Sequence, residues 1–266
     1  MGLAILFLGD VVGRVGRTGV AKVLKHWKTQ LQPDVIIANA ENIAHGKGIT
    51  RATIEELRVA GVDAFTSGNH VFRKPEIYDF IEDPKLHITR PANYPPGVAG
   101  SGATLVPTPH GDLLLINTMG RVFMHETLDC PFQAVDSVLA DYQNRPHVAT
   151  FVDMHAEATS EKIAFGHYLD GRVSAVVGTH THVATADAEI LPGGTAYITD
   201  VGMCGYKGGV LGVDKANVLH AFLTQEPVRH EIPEAGLCAV NGVLVVIDAS
   251  NGKAISIRQL HEEVMV

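Results

Sequence analysis

The chain contains 266 residues, of which 46% are hydrophobic and 19% charged, and this composition is typical of a globular protein with a full core. No apolar stretch reaches the roughly 18 residues that a membrane span requires, so we expect no membrane association. The formal net charge of −8 disfavours binding to extended nucleic acid, although bound metal cations would still allow a small phosphorylated substrate.

The cysteines and the N-terminus predict a cytoplasmic protein. Cys130, Cys204 and Cys238 are odd in number and far apart, which is typical of a reducing compartment. The N-terminal "LAILFL" lacks a basic lead-in and a small-residue cleavage site, so it is interpreted as a first strand and not as a signal peptide. No linker or internal repeat divides the chain, and we predict one domain over residues 1–266.

Five short apolar runs predict strands that are buried on both faces. They are "LAILFL" (3–8), "DVIIANA" (34–40), "DAFTSG" (63–68), "HVATFVDM" (147–154) and "SAVVG" (174–178). Stretches with helical spacing lie between them. An apolar stripe over 20–31 predicts a first helix, "RATIEELRVA" predicts a second that stops at Gly61, a third is expected from Pro131, and a fourth over about 159–169.

Two further segments predict antiparallel hairpins. Residues 102–117 and 242–260 each contain two extended runs joined by a turn, and the second turn contains Asn-Gly, a strong hairpin signal. Parallel α/β units that are interrupted by hairpins predict a mixed sheet, or two stacked sheets with helices outside.

Polar side chains that can bind metals follow each of the five apolar runs. They are Asp10, Glu41 with Asn42, Asn69 with His70, His155, and His180 with His182. Each has an ordinary structural explanation alone: Asp10 as a cap, Asn42 in a left-handed turn, His155 as a hydrogen-bonded core histidine. However, the carboxyl ends of strands in α/β sheets meet where ligands bind, and the joint pattern predicts a metal site there.

The types of ligand indicate which metals the site would hold. Carboxylate and amide oxygens occur with three imidazoles and no thiolate, a set that suits Mn, Fe, Zn, Co or Ni better than Ca. Seven ligands are too many for one ion with an open position and fit two ions that share a carboxylate. Such pairs of ions activate a water for in-line attack at phosphorus.

The motifs "LGD", "GNH" and "GTHTH", in this order and each after a strand, resemble those of the calcineurin-like metallophosphoesterases. Three motifs depart from the usual pattern: "GDVVG" lacks a histidine, "NAENIAHGKGI" has Glu-Asn in place of an Asp, and "GNHVF" lacks the following acid. Together with "DMHAEATSEK", these departures resemble the YmdB-type bacterial branch of phosphodiesterases.

The resemblance implies a four-layer αββα sandwich and a site with two metal ions, iron or manganese before zinc, cobalt or nickel. Asp10, Asn42 and His182 would hold one ion, Asn69, His155 and His180 the other, and Glu41 would bridge them. It also implies hydrolysis of small phosphodiesters, notably 2′,3′-cyclic nucleotides, by a hydroxide that bridges the metals. His70 would protonate the leaving oxygen or stabilise charge.

Other parts of the function stay open from the sequence alone. Arg14, Lys47 and Lys207 are the candidate substrate-binding residues, and the glycine-rich segment 202–212 is either a substrate contact or an ordinary loop. A phosphomonoesterase or nucleotidase on the same scaffold is one alternative function. A metal-binding regulatory protein that acts through RNA or protein partners is another, and a homo-oligomer is left open.

Overall fold

A computed structural model describes residues 2–229 and 231–266 of the chain. The strands within those residues are, in chain order, β1 (Gly2–Leu8), β2 (Asp10–Val11), β3 (Val35–Asn39), β4 (Ala64–Thr66), β5 (Ala103–Val106), β6 (Leu113–Met119), β7 (Ala149–His155), β8 (Ala175–Thr179), β9 (Glu189–Ile190), β10 (Ala196–Ile198), β11 (Met203–Tyr206), β12 (Leu237–Asp248) and β13 (Ala254–Met265). The helices are α1 (Gly13–Leu31), α2 (Arg51–Ala60), α3 (Pro131–Tyr142), α4 (Thr159–Leu169) and α5 (Lys215–Thr224), with a 3₁₀ turn at Pro75–Asp79.

The strands form two mixed sheets. The first has the order β2-β11-β12-β1-β3-β4, with β13 also paired to β12, and the second has the order β5-β6-β7-β8-β10-β9. In the first sheet β1, β3 and β4 are parallel, and in the second β6, β7, β8 and β10 are parallel. The two predicted hairpins are confirmed as the antiparallel pairs β5–β6 and β12–β13.

Three apolar cores separate four layers of secondary structure. Helices α1 and α2 pack on the outer face of the first sheet, and α3 and α4 pack on the outer face of the second. Between the sheets, Phe7 of β1 stacks on Phe151 of β7 with ring centroids 5.4 Å apart. The prediction of a four-layer αββα sandwich is therefore confirmed.

The predicted strands and helices are confirmed where their sequence patterns are strong. The five apolar runs correspond to β1, β3, β4, β7 and β8, and the second helix ends at Gly61, whose φ of 106° places it in the left-handed region. The five strands are divided between the two sheets. Helix α5 was not predicted, because its apolar Phe222 and Leu223 are exposed and give it no stripe that faces the core.

Among the residues described, we find no helix whose length and apolar character would suit it to crossing a bilayer.

The contact between the sheets yields a test of the fold. We expect Phe151→Ala to lower the free energy of unfolding by about 3–5 kcal/mol, because it opens a cavity at a fully buried ring. Denaturant unfolding measures the change. Phe222→Ala, at an exposed ring on α5, is the control and should shift stability by no more than about 0.5 kcal/mol. Equal losses in the two variants would contradict this assignment of the core.

Candidate metal centre

The structure brings all eight of the metal-binding and catalytic candidates to one edge of the sandwich. Each lies in or just after a strand: Asp10 in β2, Glu41 and Asn42 after β3, Asn69 and His70 after β4, His155 at the end of β7, and His180 and His182 after β8. Asp10, Glu41, Asn42 and His155 are buried, and the other four are partly exposed. The ends of parallel strands from both sheets therefore meet at this edge, as in other α/β sites.

One group of candidate ligands surrounds the Nε2 atom of His155, and we call it the His155 group. Asn69 Oδ1 and His180 Nδ1 each lie 3.1 Å from this nitrogen. Glu41 Oε1 lies 3.4 Å from it. Ligands bound to one transition-metal ion at about 2.0–2.2 Å are separated by distances of this size.

A second group, the His182 group, contains Asp10, Asn42 and His182. Asp10 Oδ1 lies 3.9 Å from His182 Nε2, and the side-chain nitrogen of Asn42 lies 3.3 Å from the same atom. The amide of Asn42 would have to turn over to direct its oxygen at a metal beside His182. Glu41 Oε1 accepts a hydrogen bond of 3.0 Å from Asn42, so Glu41 contacts both groups.

Burial and close charges shift the pKa values of the centre. Burial, with a contribution from His155, lowers the pKa of His180 to about 3, so this imidazole is neutral at pH 7. Burial alone would lower the pKa of His155, but the surrounding carboxylates, Glu41 first, raise it to about 9. Burial raises the pKa of Asp10, whereas His155 and His70 overcome burial and hold that of Glu41 well below its usual range.

The residues fit a bound transition-metal ion. Asp10 Oδ1 is fully buried, yet it has no hydrogen-bond partner within residues 2–229 and 231–266. Glu41, His155 and His180 each offer an atom within 4.8 Å of the others. A cation would satisfy the lone pairs that converge here, and because a ligating imidazole must be neutral, its binding would release the His155 proton.

A chain of hydrogen bonds orients the ring of His155. Its Nδ1 lies 2.9 Å from the hydroxyl of Thr179, which in turn donates to Asp153 Oδ1 over 2.7 Å. With Nδ1 engaged in this way, Nε2 is directed into the centre, an arrangement common for metal-ligating histidines. We did not identify Thr179 and Asp153 from the sequence, where the only signal is a polar residue inside an otherwise apolar strand.

The glycine-rich segment 202–212 contacts the other end of the site. The carbonyl oxygen of Leu211 lies 3.0 Å from His182 Nδ1, so Nε2 of this ring faces the His182 group. Leu211 has a φ of 51°, and a reciprocal pair of backbone hydrogen bonds between Val210 and Val213 closes the turn around it.

The glycine of "GNH" is explained by close packing. A Cβ atom at Gly68 would overlap the ring of His155 and the carboxylate of Glu41. Only glycine lets this loop approach both ligands.

His70 lies at the partly exposed rim of the centre. Its Nδ1 is 2.9 Å from Asn42 Oδ1 and 3.2 Å from Glu41 Oε1, and its backbone N–H donates to Glu41 Oε2 over 2.8 Å. These contacts fix the ring through its Nδ1 edge, and 19% of the side chain remains exposed to solvent.

The three candidate substrate-binding residues lie in different surroundings. Arg14 lines a cavity of about 350 Å³ together with His45 and Arg229. This cavity adjoins the centre through the backbone carbonyl of Asn42. That oxygen accepts hydrogen bonds from the backbone N–H groups of Gly13, which lines the cavity, and of Gly46, which follows His45.

Lys47 and Lys207 are both exposed and do not line this cavity. Lys207 forms an ion pair with Glu263 of β13. Of the three, Arg14 is therefore the residue that the structure brings nearest to a cavity beside the metal-binding candidates.

The chain is similar to known proteins over nearly its whole length. A model of the YmdB-like protein family matches residues 6–260. The chain is 48% identical over 259 residues to the 2′,3′-cyclic-nucleotide 2′-phosphodiesterase of Bacillus subtilis (strain 168), covering 97% of this chain and 96% of that protein.

Two solved structures are similar over nearly their whole length. A novel phosphatase from Mycoplasma pneumoniae has a TM-score of 0.91 and 34% identity, covering 99% of this chain and 94% of that one. A hypothetical protein from Thermus thermophilus has a TM-score of 0.90 and 40% identity, covering 98% of this chain and 99% of that one.

The hydroxyl between Asp153 and His155 can be tested directly. We expect Thr179→Val to weaken metal binding about 10–100-fold, because the ring of His155 loses the partner that orients it. Competition with a chelator measures the affinity. Thr195→Val removes another buried hydroxyl, one that donates to Val173 and makes no contact with the centre, and it should leave metal affinity unchanged. A similar loss in both variants would argue against a specific role for Thr179.

Proposed function

The chain belongs to the YmdB-like protein family, and from this premise we propose that it is a metal-dependent phosphodiesterase that hydrolyses 2′,3′-cyclic nucleotides. The observation that carries the proposal is the pair of ligand groups, one at His155 and one at His182, with Glu41 in contact with both. The named activity of the Bacillus subtilis relative supports the substrate class.

We propose that the His155 group and the His182 group each hold one transition-metal ion and that Glu41 bridges them. Iron and manganese suit this mixture of imidazole, carboxylate and amide ligands, and zinc, cobalt and nickel are the alternatives. Metal ions in such a pair lower the pKa of a water so that it can attack at neutral pH, and they neutralise charge on the phosphate.

His70 is the residue that we propose handles the proton of the leaving oxygen. Its Nδ1 lies 3.2 Å from Glu41 Oε1, a contact that does not depend on which way the Asn42 amide faces, whereas its Nε2 makes no hydrogen bond to any residue that the structure describes. Nε2 is therefore free to give a proton to the 2′ oxygen as the P–O bond breaks. General acid catalysis of this kind contributes typically about 10²–10⁴-fold.

The cavity beside Arg14 is where we propose that the rest of the nucleotide binds. Arg14 and Arg229 bring positive charge to it, Glu231 and Glu234 bring negative charge, and Ile232 gives it an apolar wall. Arg14 pairs with Glu234 over 3.3 Å and would have to leave it to contact a phosphate. We propose that the phosphate of the ligand takes the place of Glu234 beside Arg14, while the base lies on the apolar wall. Lys47 is a second candidate contact, and Lys207 would have to leave Glu263 to reach a substrate.

We also propose that the chain acts in the cytoplasm as one unit over residues 1–266. All three cysteines are free thiols, and Cys204 and Cys238 are buried, which is consistent with a reducing compartment.

The bridging role of Glu41 predicts a joint loss of metal and activity. Glu41→Gln should bind fewer than two metal ions per chain and should lose hydrolysis of bis-p-nitrophenyl phosphate and of cyclic nucleotides, because a neutral amide cannot bridge two cations. Elemental analysis and rate assays measure the two properties. Glu55→Gln, at a partly exposed position on α2, is the control. If the wild type binds two metals but hydrolyses no phosphoester, the regulatory alternative gains support.

The role of His70 predicts a dependence on the leaving group. His70→Ala should lower kcat about 10²–10⁴-fold for a 2′,3′-cyclic nucleotide, whose alkoxide leaving group needs a proton. The loss should be much smaller for a p-nitrophenyl diester, whose leaving group is stable as an anion. Equal losses on both substrates, with metal content unchanged, would assign His70 to charge stabilisation instead.

A further inference from the structure

The turn that carries His180 and His182 has an unusual backbone. His180 has a φ of 98° and His182 a φ of 66°, so both lie in the left-handed region that residues other than glycine seldom adopt. Such conformations persist only where the surrounding structure holds them. Since His180 belongs to the His155 group and His182 to the His182 group, whatever holds this turn acts on both groups.

The residue between the two histidines is bound to a buried carboxylate. Thr181 donates to Asp200 Oδ2 twice, from its backbone N–H over 3.1 Å and from its hydroxyl over 2.8 Å. Asp200 is fully buried, and its other oxygen accepts from the backbone N–H of Gly202 over 2.8 Å. The carboxylate therefore fixes both the backbone and the side chain at the centre of the turn.

Asp200 forms an ion pair with a lysine that has no contact with solvent. Lys162 of α4 is fully buried, and its Nζ donates to Asp200 Oδ2 over 2.6 Å. Its stem runs past Gly178 of β8, where a Cβ atom would meet the lysine at 3.0 Å and collide with the carbonyl of Thr199. A glycine at this position of β8 therefore leaves room for the side chain of Lys162.

A buried ion pair is weak evidence for stability, because the loss of hydration offsets most of the attraction between the charges. Apolar residues of similar size would serve stability equally well. An apolar pair, however, could not accept the two hydrogen bonds of Thr181. A buried carboxylate without the lysine could accept them, but it would lack a counter-charge. The presence of the Lys162–Asp200 ion pair is thus explained by the conformation that it imposes on the turn.

We propose that Lys162 and Asp200 are positioning residues, which hold Thr181 and so direct His180 Nδ1 and His182 Nε2 into the two halves of the metal centre. This inference rests on the proposed function, since it assigns the two histidines to two metal ions. It makes Asp200, which is not itself a candidate ligand, a support shared by both halves, in addition to the hydrogen bond from the His180 backbone N–H to Asp10 Oδ2 and the contact of His182 Nδ1 with the Leu211 carbonyl.

The first test removes one hydroxyl. Thr181→Val should weaken Mn²⁺ binding by the apoprotein about 10-fold or more in both sites together, the size of effect seen for partners of metal ligands. Thr181→Ser should restore it. Chelator competition measures affinity, and the electron paramagnetic resonance signal of a coupled Mn²⁺ pair reports the spacing of the ions. The melting temperature of the apoprotein should change no more than in Thr195→Val, which lies outside the turn.

The second test removes the ion pair. Single variants leave a buried charge without its partner and can fail to fold, so Lys162→Met/Asp200→Asn is used, in which neither charge remains. This double variant should be folded by circular dichroism and should bind Mn²⁺ less tightly in both sites. For the loaded enzyme, kcat should fall more than KM rises.

The outcomes separate this inference from the proposed function. Wild-type protein that binds two Mn²⁺ and hydrolyses cyclic nucleotides, with unchanged affinity in Thr181→Val and in the double variant, overturns the positioning role alone. Weakening of only one site also overturns it, because the turn would then not serve both groups. Wild-type protein that binds no metal overturns the proposed function and the positioning role together.

Discussion

The carboxylate of Asp153 joins the two sheets directly beneath the candidate metal centre. One oxygen accepts hydrogen bonds from Thr66 and Asn39 of the first sheet, and the other accepts from Thr179 of the second. Most of the buried surface between the sheets is made of apolar side chains, which attract without direction and leave relative sliding weakly determined. This carboxylate supplies direction, and its complete burial raises its pKa to about 6.

The candidate centre depends on that junction because its candidate ligands come from both sheets. Glu41 and Asn69 follow strands of the first sheet, whereas His155 and His180 belong to the second. The pair from one sheet cannot meet the pair from the other until the sheets have packed in register. Metal affinity and the stability of the sandwich are therefore linked, since an ion that binds only the packed form stabilises it.

The sequence was sufficient to predict the strands and to select candidate ligands that the structure brings together, but not the residues that position them. Asp10 or His155 could be identified because an apolar run stops at a polar residue, and this happens five times in chain order. The partners of Asp153 and Asp200 could not be identified in this way. Asn39 lies 114 residues from Asp153, and no spacing in the sequence connects them. The assignment of strands to two sheets, helix α5 and the short strands β9 to β11 depend likewise on packing, which a local pattern does not contain.

The left-handed backbone at His180 and His182 also limits which sequences evolution can try at this turn. Among side chains that bind metals, asparagine and aspartate share with histidine a tolerance for positive φ, whereas most others do not. Substitution of either histidine by glutamate or cysteine would strain the backbone even in the metal-free protein. The turn thus restricts exchange of ligands to a narrow set, and a relative with a different metal preference is expected to change at positions outside it.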